Sequence, residues 1–431
     1  MLFAGLDIHK RVVEAVVLDA SGTLLHRQRF DCTREELVRF AKKHLGPNAR
    51  VALEATTNTW SIVDVLRPHA GEVVVSNPLR TRAIAEAKIK TDKVDSLVLA
   101  QLLRADFLPR VWQPDAPTQA RRRTTTRRAS LVSDRTRVKN RIHAVLHQRL
   151  IAAPVDDLFS KRGLTWLRGV ELDAPGRCYI DGELRLLETI DGEIEGVDAS
   201  LVLDAHADPR AKLLMTLPGV DYTIAITLLA TLGDIARFKD GDHAASYLGI
   251  VPSTRQSAEH CYHGPITKQG RAHARWMLVQ AAQHLSKHPG PLGVFFRRIA
   301  KKKNRNVAVV AAARKLVVVA FHMLKNNEPY RYAIPSTVDA KLARLRVKAT
   351  GQKRKAASTR GAPRSPNYGS GQRTRPVHAL GVILEREGLP PLHPPRPAET
   401  RALAEQGLTE FVDSLHVPRR VPKPRRPKNS T

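Results

Sequence analysis

Phe3-Ala4-Gly5-Leu6-Asp7-Ile8 and Arg50-Val51-Ala52-Leu53-Glu54-Ala55 decide the fold. Each reads as a short apolar strand with one acid near its carboxyl end. Burying such an acid is costly unless it is paired or holds a cation, so neither Asp7 nor Glu54 is idle in this reading. Between them, Val12-Val13-Glu14-Ala15-Val16-Val17-Leu18 is a second strand, Asp19-Ala20-Ser21-Gly22 a turn, and Leu24 to Phe30 a third strand. Thr33-Arg34-Glu35-Glu36 is a capping box that opens a helix through Leu37, Phe40, Ala41 and Leu45. Beyond Glu54 come a helix around Ile62, Val65 and Leu66, a strand over Glu72–Asn77, and a helix from Pro78 through Ile84. The order β-β-β-α-β-α-β-α-α is that of a mixed α/β layer.

One more helix completes the pattern. In Lys90-Thr91-Asp92-Lys93-Val94-Asp95-Ser96-Leu97-Val98-Leu99-Ala100-Gln101-Leu102-Leu103 the apolar residues recur at helical spacing, with Asp92 and Asp95 in the first turn. An i, i+3 pair projects from one helix face. Taken alone, ordinary N-terminal capping accounts for both aspartates. The element order, however, matches the ribonuclease-H-like fold. Its first and fourth strands are neighbours, which brings Asp7 and Glu54 together and adds Asp92 and Asp95 to them. Four carboxylates suit Mg²⁺ or Mn²⁺. Two such ions, about 4 Å apart, activate a nucleophile and stabilise a leaving oxygen at phosphorus. Lys88, Lys90 and Lys93 surround the acidic pair, either holding a phosphate backbone or forming a solvated helix face.

Composition agrees with a polyanionic partner. The 431 residues carry 71 Lys and Arg against 41 Asp and Glu, a formal charge of +30, and nucleic acid is the default partner for such a balance. No apolar run approaches the ~20 residues that span a bilayer, and Met1-Leu2-Phe3-Ala4-Gly5 leads straight into a strand without a basic leader. Cys32, Cys178 and Cys261 have no metal-ligand spacing and suit a reducing, cytoplasmic setting.

After Trp112-Gln113-Pro114, a long basic helix begins with Arg121, Arg122, Arg123, Arg127 and Arg128 and continues through Val138, Ile142, Val145 and Leu146. Its apolar residues return every 3.5 to 4 positions, so it packs on another helix. The arginines between them read as a phosphate-contacting arm or as the solvated outside of a coiled coil. Glu183–Leu203 is an amphipathic partner for that helix, weakened by Gly192 and Gly196. Leu214 to Ala225 reads as helix, Pro218-Gly219 turn, helix. It is reminiscent of a helix-hairpin-helix that receives a phosphate, or is a plain αα-hairpin. His260-Cys261-Tyr262-His263 lacks the partners a metal site needs.

Several motifs now stand in order: Gly-Leu-Asp-Ile at Asp7, Leu-Glu-Ala at Glu54, and Lys-Thr-Asp-Lys-Val-Asp at Asp92 and Asp95. Leu-Pro-Gly-Val at Leu217, Tyr-Leu-Gly-Ile-Val-Pro at Tyr247, Gln-Ser at Ser257 and Ile-Thr-Lys-Gln-Gly at Ile266 follow. Over about residues 1 to 330 the set resembles the insertion-sequence transposases that join a RuvC-like Asp-Glu-Asp-Asp domain to a carboxy-terminal serine domain, the bridge-RNA-guided recombinases. The resemblance implies a RuvC-like catalytic domain over 1–112, a basic helical connector over 113–208 and a mostly helical serine transposase domain over 209–330. It implies metal at Asp7, Glu54, Asp92 and Asp95, and Ser257 as the recombination nucleophile. The family glycine after that serine is Ala258 here. It also implies DNA as substrate, a guide RNA that selects sites by base pairing, and a homo-oligomer between dimer and tetramer in which the two domains meet between subunits. Arg255, Lys268 and Arg271 are candidate phosphate clamps beside Ser257.

From about Pro335 onward Pro, Arg, Lys, Gly and Ser dominate, and 331–431 reads as a largely disordered basic tail, with helical patches at Leu380–Glu387 and Ala402–Leu415. The expected activity is metal-dependent DNA strand exchange through a serine. A RuvC-like nuclease or Holliday-junction resolvase using water, and a noncatalytic nucleic-acid-binding relic, are the alternatives.

Overall fold

The computed structural model describes residues 1–84, 92–257, 260–352 and 374–422. The chain divides into two compact units, Met1–Asp115 and Ala116–Thr431.

In the first unit, β1 (Leu2–Ile8), β2 (Val12–Leu18), β3 (Leu24–Asp31), α1 (Arg34–His44), β4 (Ala49–Glu54), α2 (Thr59–Leu66), β5 (Glu72–Ser76), α3 (Pro78–Ile84) and α4 (Asp92–Arg104) follow in order. The five strands form one sheet ordered β3-β2-β1-β4-β5. The β1–β2 and β2–β3 pairs are antiparallel, whereas β1–β4 and β4–β5 are parallel. This mixed five-stranded sheet is consistent with the ribonuclease-H-like order expected from the sequence. Thr33 caps α1 by accepting from the Glu36 amide at 3.3 Å. Strand alternation sends Leu6, Val13, Ala15 and Leu53 to one face, where they pack with Leu37 and Phe40 of α1 and Ile62 and Leu66 of α2. Phe3, Val16, Ala52 and Val74 go to the other face, where they meet Leu99, Ala100 and Leu103 of α4.

The second unit is mostly helical. It opens with α5 (Ala116–Gln148), α6 (Lys161–Gly169), α7 (Ala174–Ala207), α8 (Pro209–Leu214), α9 (Tyr222–Leu232) and α10 (Gly241–Tyr247). A hairpin of β6 (Pro252–Ser257) and β7 (His260–Ile266) precedes α11 (Ala272–Gln283), α12 (Pro291–Lys302), α13 (Arg305–Asn326) and α14 (Pro335–Thr350). Then come β8 (Thr374–Val377), α15 (Leu380–Arg386), α16 (Pro397–Glu405), α17 (Thr409–Asp413) and β9 (Arg419–Pro422), with β8 and β9 paired antiparallel. The long α5 and α7 pack through Val138, Ile142 and Leu146 against Ile180, Leu184 and Leu187.

Four sequence expectations change here. Pro335–Thr350, assigned to an unpatterned tail, is a helix whose Val338, Leu342 and Leu345 are buried in the core of the second unit, together with Leu380, Ile383 and Leu384. Apolar residues at i, i+4 and i+7 suffice when a packed surface awaits them, although the surrounding Pro and Arg obscure the period. The patch over Ala402–Leu415 is two short helices, α16 and α17. Of the expected disorder over Gly361–Pro376 and Pro418–Thr431, residues 361–373 and 423–431 lie outside the described residues, whereas Thr374–Pro376 and Arg419–Pro422 are not disordered but belong to the antiparallel strands β8 and β9. Finally, α13 is 22 residues long and apolar enough to cross a bilayer by length and composition. Half of its most apolar window is buried in the core, as Val309, Leu316 and Phe321 show.

Candidate functional site

Register fixes the first pair of acids. Leu6 of β1 is paired with Leu53 of β4. Asp7 and Glu54 are therefore the next residues along two neighbouring parallel strands, and they project to one face of the sheet. That face belongs to α4. A Cβ on Gly5 would overlap the Ser96 carbonyl oxygen and the Ala100 amide nitrogen, so α4 rests directly on β1. The direction of α4 follows from its far end. Arg104 reaches the Ala20 carbonyl at 3.5 Å in the β2–β3 turn, beyond Leu18, which pairs with Phe3. The carboxyl end of α4 thus lies at the Phe3 end of the sheet, and its amino end, with half-buried Asp95, lies at the Asp7 end.

Asp7 is mostly buried, and His9 Nε2 stands 3.1 Å from its Oδ2. Opposite Asp7 on β2 is Glu14, only 3% exposed. Sequence reasoning passed over Glu14, although it carries the same signal as Asp7, an acid inside an apolar strand. On β5, Ser76 lies beside Glu54 in register, fully buried and hydrogen-bonded to Thr81. The donors at this end of the sheet are carboxylates, the chemistry a hard divalent cation takes. Among the described residues no three His, Cys, Asp or Glu side chains close into a metal cluster. The Asp92 and Lys93 side chains, and Lys88 and Lys90 entirely, lie outside the described residues.

The basic residues of the second unit sort by partner. Arg121 is bidentate on Asp204 and also meets Asp208, at 2.6 and 2.8 Å. Arg127 pairs with Glu193 at 2.7 Å and Arg128 with both oxygens of Asp198. Burial pulls the Arg121 and Arg128 guanidiniums down, but these carboxylates outweigh it and leave both above the ordinary arginine range. Farther along α5, Arg135 and Arg141 meet Asp191 and Glu183. The α7 helix thus supplies the counter-charge of one α5 face. Arg123 stands exposed on α5, beside the depression left by Gly192 and Gly196 of α7. Arg122 turns the other way and donates to the Ala230 carbonyl at 2.8 Å.

Ser257 ends β6 and is exposed, and its cross-strand neighbour is His260. In the same register Arg255 opposes Tyr262, so alternation places Arg255, Ser257, His260 and Tyr262 on one face of the hairpin. Ala258 falls outside the described residues. Thr254, Gln256, Cys261 and His263 occupy the opposite face, where Cys261 Sγ and His263 Nε2 are 3.8 Å apart. Lys268 is exposed in a left-handed conformation at φ 56°, and Arg271 precedes α11, donating to Thr126 Oγ1 at 2.8 Å. Asp221 occupies the amino end of α9 by accepting from the Ile224 amide at 2.9 Å, and Lys341 holds the Leu217 and Val220 carbonyls at 2.7 and 2.9 Å. The Pro218-Gly219 turn is therefore filled by the protein's own groups.

A profile described as a transposase, of the IS110 Asp-Glu-Asp-Asp type, matches residues 4–150, and one for the transposase IS116/IS110/IS902 family matches 211–294. The chain is 28% identical to the y4qE protein of Sinorhizobium fredii over 53% of its own length, and spans 56% of that protein. It is 25% identical to the 44.8 kDa protein of insertion element IS116 from Streptomyces clavuligerus, over 79% of this chain and 98% of that one. It is also 25% identical to the pilin gene-inverting protein of Moraxella bovis, over 64% of this chain and 80% of that one.

Proposed function

From a chain that belongs to the IS110/IS116 family of insertion-sequence transposases, we propose a DNA recombinase in which Asp7, Glu54, Asp92 and Asp95 form a cation-binding acidic centre and Ser257 is the attacking nucleophile. The observation that carries the acidic centre is the placement of Asp7 and Glu54 on adjacent parallel strands, at the sheet end where α4 begins. A Mg²⁺ or Mn²⁺ ion held there supplies charge neutralisation at the phosphate and a stronger nucleophile. Glu14, buried beside Asp7, belongs to the same centre as a holder of its geometry.

Ser257 Oγ attacks the phosphorus of a DNA phosphodiester, loses its proton, and forms an ester as one P–O bond breaks. The departing oxygen takes up a proton and becomes a hydroxyl end. Attack of another strand's hydroxyl on the phosphoserine forms a new P–O bond as the Ser257 Oγ–P bond breaks, and the serine oxygen takes up that hydroxyl's proton, so the exchange completes without external energy. Arg255, on the same hairpin face, binds the phosphate as a guanidinium can. The exposure of Ser257 supports this reading, because a duplex must reach it. A guide RNA selects the sites in this proposal, and the protein reads backbone and shape. The 5% aromatic content supports that division, being small for a base-stacking platform. The working form is an assembly of two to four copies.

Incubating the protein with labelled element-end DNA and Mg²⁺ tests the reading. We expect a covalent protein–DNA adduct that Ser257→Ala abolishes and Asp7→Asn reduces at least a hundredfold. Cleavage that survives in Ser257→Ala would assign the chain to the water-using nucleases instead, and full strand exchange by Asp7→Asn would remove the acidic centre.

A further inference from the structure

The arginines of α5 divide by the face they occupy. Toward α7, Arg121, Arg127, Arg128, Arg135 and Arg141 each meet a carboxylate, and the opposite side is built differently. Arg122 donates to the Ala230 and Thr231 carbonyls at 2.8 and 3.3 Å and lies 3.4 Å from the Tyr247 hydroxyl. The Arg237 guanidinium lies over the Phe238 and Tyr247 rings at 3.9 and 4.2 Å and donates to the Leu232 carbonyl at 3.1 Å. Arg271 joins them from the start of α11 through its hydrogen bond to Thr126 of α5. Arg271 meets no carboxylate among the described residues.

We propose that Arg271, Arg122 and Arg237, gathered around Tyr247, form a phosphodiester-binding site; the inference rests on the nucleic-acid-binding reading above. Capping of the last carbonyls of α9 explains Arg122 and Arg237. It leaves Arg271 unexplained, since that guanidinium bonds to α5 and not to the end of α9. Half-buried cations that repel one another cost free energy unless a counter-charge is present. Burial and then the Arg122 charge hold Arg271 below the ordinary arginine range. Burial, then Arg271 and Arg128, hold His273 below the usual histidine range. A phosphodiester supplies a counter-charge to Arg271, and its two free oxygens match the planar fork of a guanidinium. Arg122, Arg237, Tyr247 and Arg271 are each only partly buried, which leaves the cluster open to a strand.

The test is equilibrium binding of full-length protein to DNA and RNA oligonucleotides of mixed sequence across a salt series. Arg271→Gln keeps a donor for Thr126 and removes the charge. Arg137→Gln, on the same helix and paired with Asp134, is the comparison. We expect Arg271→Gln to weaken binding several-fold and to lower the slope of log K against log salt by about 1, with Arg137→Gln close to wild type. A lowered slope with DNA alone or RNA alone assigns the site to that strand, and with both to the shared backbone. An unchanged slope with both overturns the proposal. Should Arg271→Gln fail to fold, phenylglyoxal modification of the wild type gives the answer: protection of Arg271 by oligonucleotide supports the site, and equal modification refutes it. Binding is read without cleavage. An Arg271-dependent slope without any adduct therefore sinks the recombinase reading alone, and adduct formation with an unchanged slope sinks this site alone.

Discussion

Gly5 has no chemistry of its own, yet the proposed acidic centre depends on it. The missing side chain lets the Ser96 carbonyl and the Ala100 amide approach β1, and that approach sets how far α4 carries Asp95 toward Asp7. Any Cβ there must push the helix away against backbone atoms that cannot rotate aside. Gly5→Ala should destabilise the protein by about 1–3 kcal/mol, as overpacking does. It should also lower strand cleavage by more than its loss of stability explains. Urea unfolding combined with a cleavage assay under fully folding conditions checks both, and a variant with wild-type stability would show that α4 does not rest on Gly5. The placement of Asp7 and Glu54 at the ends of neighbouring strands was legible in the sequence, because an acid in an apolar strand stands out. Glu14 has the same signature, but its burial opposite Asp7 was not legible, since its strand-mates alone do not reveal which residue lies across from it. Cross-strand register decides that, and no single strand carries it.

Among elements, the strands and helices of the first unit could be read in order, because each has clean periodicity and marked ends such as the Thr33 cap. The pairing of α5 with α7 was equally visible in its apolar seam. The charge between them was not, because a run of arginines looks alike whether it faces phosphate or carboxylate. Only packing shows that Asp191, Asp198 and Asp204 of α7 lie against α5. Arg141 and Glu183 make the clearest such contact, two parallel hydrogen bonds of 2.7 Å each, with Glu183 only 12% exposed. A double-mutant cycle of Arg141→Ala and Glu183→Ala should give a coupling of order 1 kcal/mol, the upper end for pairs near a surface. It should shrink little between 0.05 and 0.5 M salt, since a contact bidentate pair is screened less than separated charges. A coupling near zero would mean that the apolar seam alone holds the two helices.

At the scale of the second unit as a whole, one residue reports how its parts close on each other. His288, between α11 and α12, is 5% exposed. Its Nδ1 accepts from the Gly290 amide at 3.1 Å, and its ring meets Tyr330 and, edge-on, Phe411 of α17. The chain's last helices are thereby fastened to its middle, which composition alone had assigned to a loose tail. Burial first, then the Arg297 and Lys341 charges, lower the His288 pKa from 6.5 to about 4. The sign follows directly. Between those values the unfolded chain binds a proton that the folded chain refuses, so stability falls as pH falls from 6.5 to about 4 and is unaffected above that window. Burial lowers Lys341 to about 7, against the pull of Asp221, so its cost is fully present below 7 and is relieved between there and 10.5. At 1.36 kcal/mol per pH unit the histidine contribution is about 3 kcal/mol. His288→Asn keeps an acceptor near the position of Nδ1 and cannot take up the proton. Urea unfolding of both proteins at pH 6.5, 5 and 4 should show the wild type losing about 3 kcal/mol more than the variant across the range. Parallel losses in the two proteins would mean that His288 opens to water before the unit unfolds. The α17 contact would then be a local latch that is not part of the cooperative core.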